Sequence, residues 1–321
     1  MGGRRVLITG VANPLGARLA RLLAADAGVE RVVGVDTRAV DPDVAERIDV
    51  IEADLRGPDF GPLVRAAAVD TVVHNDIVQF AEPGRPRAAL HDVNVIGTLQ
   101  LLTACAVLPA LRAIVVRGSA AIYGAEPDAP AFFTEDDTRR YPLRTRFQRD
   151  ISELEGLVGA FARRHSAVAC TLLRLQPLVG RDVDTPVGRL LASAVVPTVL
   201  GFDPRVQLLD ADDAVGAMRR AALHPVRGAV NVAADGVVSL SRALRHVRRP
   251  ALPIAAPLWG PLVGAARRAA GQAPLPDEAA RYLRYGRGVD TTRMRRDLGF
   301  RPRYTTLEAL ERAVAGEEVA A

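Results

Sequence analysis

Through the first half of the chain, short runs of apolar, often β-branched residues alternate with longer stretches whose apolar positions recur at helical spacing. The runs predict strands over residues 5–9, 31–36, 49–52, 71–75, 113–117 and 169–175. The amphipathic stretches predict helices over 15–27, 60–68, 88–107 and 147–165. Short apolar strands separated by helices imply parallel pairing with both sheet faces covered, a doubly wound α/β architecture. After Leu175 the rhythm breaks, and proline and glycine become frequent. Short helices are expected over 187–195, 211–223, 240–247, 291–298 and 306–314, with brief strands over 206–209 and 229–232. The expected division is a dinucleotide-binding Rossmann domain over 1–178, whose late elements return near 205–235. A smaller, interleaved C-terminal substrate-binding domain is expected over 179–321.

The first strand runs into Thr9-Gly10-Val11-Ala12-Asn13-Pro14-Leu15-Gly16 and then into a helix. In that setting Gly10 permits the tight turn and Gly16 lets helix and strand approach. The helix N-terminus, beginning near Leu15, then offers amides and positive dipole to a pyrophosphate. Asn13 stands where a middle glycine is expected; asparagine tolerates positive φ, but its side chain enters the space a phosphate would approach. Asp36 closes the second strand about 20 residues past the glycines, where a carboxylate accepts from ribose hydroxyls and repels a 2′-phosphate. The cofactor expected is NAD, with NADP disfavoured; Arg38 is the group that could answer a 2′-phosphate. Asp54 and Leu55, after the third strand, are placed facing the adenine.

Several further motifs occur in order: Val72-Val-His74-Asn75, Asn94-Val-Ile-Gly-Thr-Leu, Gly118-Ser119-Ala-Ala-Ile-Tyr123-Gly124, Arg174-Leu-Gln-Pro-Leu-Val-Gly180, Val206-Gln-Leu-Leu-Asp-Ala-Asp-Asp213, Val230-Asn-Val-Ala and Asp290-Thr-Thr-Arg-Met-Arg-Arg-Asp-Leu-Gly-Phe. With the phosphate loop, these resemble extended short-chain dehydrogenase/reductases of the nucleotide-sugar epimerase/dehydratase type over nearly the whole length. The pattern is most similar to an actinobacterial branch labelled UDP-glucose 4-epimerase-like. The resemblance implies NAD and a nucleotide sugar as ligands, with His74, Asn75 and Asn94 beside the cofactor. It also implies pairing as homodimers through helices of the first domain, which the apolar pattern over 93–107 permits.

Members of that family work with a Ser or Thr, a Tyr and a Lys four residues after it. Ser119 matches the first. Counting back from Glu155 places Phe147 at the tyrosine position and Ile151 at the lysine position. A phenyl ring transfers no proton, and the chain contains no lysine at all. Phe147, Ile151, Leu154, Val158 and Phe161 form one apolar stripe at helical spacing instead. A second departure is Asp76, where the family prefers a small apolar residue. Three alternatives remain: a binding or regulatory protein that holds NAD or a nucleotide sugar, an atypical enzyme using Tyr123 or Asp76 as substitute base, and a scaffold without cofactor. Ala120 and Ala121 lack the acids that the family's dehydratases use.

Composition changes this picture little. The 321 residues are 49% hydrophobic and 25% charged, ordinary for a globular protein. Net charge is +5, every basic side chain other than histidine is arginine, and pairs such as Arg219-Arg220 and Arg295-Arg296 are interleaved with acids, so nucleic acid is not the expected partner. Cys105 and Cys170 lie in apolar runs without metal-ligand spacing, predicting buried thiols and no metal. The start, Met1-Gly-Gly-Arg-Arg, has no apolar signal region, so a cytoplasmic location is expected. The uncharged run over 251–266 is short and broken by Pro253, Pro257 and Pro261; it is expected to be a buried or lid segment, with no membrane span.

Overall fold

The computed structural model describes residues 3–80, 88–137, 140–181 and 183–320; Met1 and Gly2, at the amino end read above, lie outside them. Seven strands, β1 (Arg4–Thr9), β2 (Val29–Asp36), β3 (Asp49–Glu52), β4 (Thr71–His74), β5 (Ala113–Ser119), β6 (Ala169–Leu175) and β7 (Gly228–Val232), build one sheet. Their order is β7-β6-β5-β4-β1-β2-β3 and every pairing is parallel. Strand order reverses between β1 and β4, the switch point at whose carboxyl edge open α/β sheets bind ligands.

Alternation along the strands sends Leu7 to one face and Val6 and Ile8 to the other. On the first face pack α2 (Phe60–Ala67), α3 (Gly97–Cys105) and α4 (Arg146–Arg164); on the second lie α1 (Pro14–Ala24) and α5 (Ala211–Leu223). Both cysteines are buried in the first cluster. A third cluster joins residues from Val179 to Leu208 with others from Leu240 to Val314.

Two local departures bear on function. The helix expected over 88–107 is broken by a π-helical turn at Asp92–Ile96, a distortion that recurs at functional sites. The expected strand over 206–209 splits because buried Gln207 turns inward: it accepts from the Val289 amide and donates to the Ala234 carbonyl. Arg205–Val206 then pairs with Val238–Ser239, and Leu209–Asp210 with Leu178–Val179.

The uncharged run forms a strand, Ala251–Ile254, paired with Val196–Val199, followed by α6 (Ala256–Ala269). Pro257 occupies the first turn of α6, where no amide is required. Pro261 lies inside the helix. The prolines hid α6 from the sequence, and α7 (Asp277–Tyr285) was missed with it. Only part of α6 is buried: Trp259 and Val263 point inward, and the opposite side is exposed.

α4 is positioned twice over. At its start Thr145 and Gln148 make a reciprocal capping box, and the Gln148 amide also donates to the Ala121 carbonyl. Midway, Glu155 receives both Arg174 Nε (3.0 Å) and Nη2 (2.8 Å), and Arg174 Nη1 donates to Tyr123 Oη and the Glu135 carbonyl. Arg174→Ala would strand the Glu155 carboxylate and is expected to cost about 3–5 kcal/mol, read as a lowered midpoint in denaturant.

His74 supplies a second prediction. Its Nδ1 meets Thr9 Oγ1 at 2.8 Å and its Nε2 meets Thr98 Oγ1 at 2.9 Å, tying β4 to β1 and α3. Burial pushes its pKa down to about 3. The unfolded chain therefore binds an extra proton between pH 3 and 6.5. The stability gained from neutral His74 is complete above pH 6.5 and is lost on acidification at up to about 1.4 kcal/mol per unit. In a histidine NMR titration, His74 should show no transition between pH 7 and 4, whereas exposed His91, raised by its hydrogen bond to Asp150, titrates above the ordinary histidine value.

Candidate functional site

A cleft of about 780 Å³ opens at the carboxyl ends of β1 to β5. Asn13, Leu15, Asp36, Arg38, Asp54 and Leu55 all line it, as the sequence expects for the adenine half of a dinucleotide site. Gly10 has φ +67°, and a Cβ there would sit 3.0 Å from the Asp76 Cα. A Cβ on Gly16 would sit 2.1 Å from the Gly10 carbonyl oxygen, so the close helix–strand approach demands glycine. Residues of this shape fit a pyrophosphate cradle.

Asn13 departs from expectation. Its φ is −82°, so no left-handed turn is needed; it is the N-cap of α1. Its Oδ1 accepts from the Gly16 amide (2.8 Å) and from Asn75 Nδ2 (3.1 Å). One amide that could meet a phosphate is thereby taken by the loop's own side chain. Leu15, whose first-turn amide has no intrahelical acceptor, lines the cleft. Asp36 Oδ2 likewise accepts from the Ala12 amide at 2.9 Å, while Oδ1 accepts from the Arg38 amide (3.0 Å) and Nε (3.3 Å). Asp54 is held by Arg56, whose backbone amide and Nε donate to Oδ1, each at 2.9 Å, and whose Nη2 donates to Oδ2 at 2.6 Å.

Three residues expected to touch the cofactor are placed behind the cleft wall. His74 and Asn75 are fully buried and Asn94 is too; none of them lines the cleft. Asn75 Nδ2 reaches the Gly10 carbonyl and Asn13, and Asn94 clamps both backbone groups of Val78 from the π-helical turn. Their side chains hydrogen-bond to the wall itself.

The far end of the cleft is where sequence reasoning missed a residue. Arg117, at the end of the apolar run Ala113-Ile-Val-Val, lines both the cleft and a recess of about 30 Å³ that Ser119 and Phe147 share with it. Its Nη2 donates to the Ile77 carbonyl, its Nε is buried without an acceptor, and Asp76 supplies the opposing charge. Burial lowers its pKa to about 10, so it stays cationic at neutral pH. An arginine closing an otherwise apolar buried strand is the signal that could have found it.

Ser119 Oγ accepts from the Ala121 amide at 3.2 Å, capping a short 3₁₀ turn. Phe147 is half-buried and faces this recess, whereas Ile151 is fully buried among hydrocarbon neighbours. Tyr123, expected as a possible substitute base, is away from the cleft: it is 2% exposed, stacked 5.0 Å from Phe133, and its hydroxyl donates to Asn231 (2.6 Å) and accepts from Arg174. Burial pushes its pKa up to about 12, which disqualifies it as a base near neutrality. Asp76 does line the cleft.

Comparison with known proteins places this geometry. An uncharacterized protein of Mycobacterium tuberculosis strain H37Rv is 39% identical over 310 residues, covering 95% of this chain and 82% of its own. Among solved structures, MoeE5 in complex with UDP-glucose and NAD superposes with a TM-score of 0.73 at 22% identity, covering 98% of this chain and 99% of the other. A UDP-glucuronic acid 4-epimerase from Bacillus cereus in complex with NAD gives 0.70 at 16%, with coverage of 98% and 99%. At those identities the structures speak to the fold alone. The model of the NAD dependent epimerase/dehydratase family matches residues 6–233, and the chain belongs to that family.

Proposed function

We propose that this chain holds NAD in the cleft and does not turn over a nucleotide sugar by the tyrosine–lysine route of its family. The observation that carries this is the hydrocarbon at the two positions that should move and stabilise a proton: Phe147 against the Ser119 recess, and Ile151 wholly inside the core. The adenine half supports retained binding, since Asn13, Leu15, Asp36 and Leu55 line one cleft and the close packing at Gly10 and Gly16 shapes the turn that carries the first two. Bound NAD would bring a hydride acceptor. The residues that would hold it are the Leu15 amide at the pyrophosphate and Asp36 at the adenosine ribose, where a carboxylate favours NAD over NADP. Solved relatives bound to NAD and UDP-sugars support a nucleotide sugar as the second ligand class. The exposed Ile96, Leu99 and Val107 around α3 support a homodimer through that face. Residues 1–178 serve the nucleotide and 179–321 the second ligand in this reading.

An atypical enzyme is the second reading, and it rests on Asp76 alone, a carboxylate on the cleft wall beside Arg117. Calorimetry with NAD and NADP, run beside chromatographic assay of UDP-glucose and UDP-galactose interconversion, separates the two. The expected outcome is NAD binding weakened about tenfold or more by Asp36→Asn, from loss of a hydrogen bond to a charged group, with no interconversion. Interconversion by the parent chain that Asp76→Asn abolishes would establish the second reading. Absence of NAD binding at millimolar concentration would refute both.

A further inference from the structure

Over most of the chain the arginines are interleaved with acids, but between Asp235 and Asp277 they are not. That stretch holds six arginines and no Asp or Glu, so it carries +6 while the whole chain carries +5. Arg242, Arg245, Arg248 and Arg268 are exposed. The acids that face it come from other elements and meet helix Leu240–His246: Asp203 accepts from Ser241, and Glu311 pairs with His246.

The same stretch contains α6, whose two sides differ sharply. Inward, Trp259 Nε1 donates to the Pro197 carbonyl, and Arg267 Nε donates to the Ala273 carbonyl at 2.8 Å. Outward, Leu258 is 54% and Leu262 49% exposed, one helical turn apart. From Ala255 to Ala266, Trp259 alone carries a hydrogen-bonding side chain. Leu252, on the strand leading into α6, is 52% exposed as well. A helix on the surface of a globular protein ordinarily turns a polar face to water; here the outer face is hydrocarbon, with permanent cations at both ends of the segment.

We propose that this face is a docking surface for an anionic lipid bilayer, with α6 lying in the interface plane. Leu258 and Leu262 enter the acyl boundary, while Arg248 and Arg268 sit at headgroup level. The segment does not span: the 14 residues of α6 cover about 21 Å, short of the roughly 30 Å hydrocarbon core, and no helix among the described residues is long and apolar enough to cross a membrane. Nucleic acid would engage the arginines but gain nothing from two exposed leucines. A second copy brought on by a two-fold axis would set one arginine-rich segment against another.

The test is sedimentation of the full chain with vesicles of equal parts phosphatidylglycerol and phosphatidylcholine, beside vesicles of phosphatidylcholine alone. Recovery with the anionic vesicles only, falling with added salt, is the expected result. Leu258→Glu with Leu262→Glu should lower the partition coefficient about tenfold or more without moving the melting temperature, because both side chains are already in water. Arg248→Glu with Arg268→Glu should do the same by charge, and decides the matter if the leucine variant melts early. Retention in the supernatant, equal recovery with both vesicle types, or unchanged recovery of both variants overturns the proposal. So does an oligomer in light scattering that the leucine variant dissolves while vesicles recover no protein.

Discussion

The Arg174–Glu155 pair governs what this molecule can do chemically. Its guanidinium is almost fully buried, and it is satisfied on three sides by Glu155, Tyr123 and the Glu135 carbonyl. A buried arginine with that many fixed acceptors admits one geometry, because any slip of α4 would strand charge in a low-dielectric interior. The pair thereby fixes the rotation and register of α4 against β5 and β6. Fixed so, the helix brings Phe147 to the recess beside Ser119 and sends Ile151 into the core. The side chains that α4 presents to the recess thus follow from the same constraint that keeps the fold intact.

A similar economy holds at the phosphate loop. Asn13, Asp36 and Asn75 each spend a polar atom on loop backbone or on one another, so the turn is stitched from inside. That stitching makes the loop rigid before any ligand arrives, and pre-organised sites lose less entropy on binding. It also leaves fewer amides for a pyrophosphate. Across the cleft each lining arginine named here has an acid for company: Arg38 with Asp36, Arg56 with Asp54, Arg117 with Asp76. Affinity for a diphosphate in such a site comes from directed hydrogen bonds and shape more than from net charge.

The sequence made the nucleotide half legible because its signals are local. Strand period, the Gly10 and Gly16 turn and the acid at Asp36 each declare themselves within a few residues: the turn follows β1, and Asp36 closes β2 on the cleft. What it concealed depends on contacts distant in the chain. His74, Asn75 and Asn94 sit in motif positions beside the cofactor, yet their partners at Thr9, Gly10, Thr98 and Val78 turn them into wall supports. Tyr123 looks available as a base until β6 and β7 bring Arg174 and Asn231 onto its hydroxyl. Arg117 was overlooked because a strand-end charge usually reaches water; here β4 and the Ile77 carbonyl close over it. α6 and α7 were hidden by prolines whose cost falls at a helix start or is absorbed by packing.

The absence of lysine sharpens the chemical limit. An ammonium can lose its proton when buried, which is how lysines become bases or tune a phenol; a guanidinium holds its proton through the range in which enzymes work. Even Arg117, lowered by burial, stays charged at neutral pH. Arginine can therefore supply the cleft with charge and directed donors but not with a base. Of the neutral groups near it, His74 is buried between two threonines and Tyr123 is pushed up to about 12. Proton transfer, if this cleft performs any, must pass through a carboxylate, and Asp76 is the carboxylate on its wall that stands next to Arg117. Its pairing with Arg117 offsets the charge this carboxylate brings to the wall.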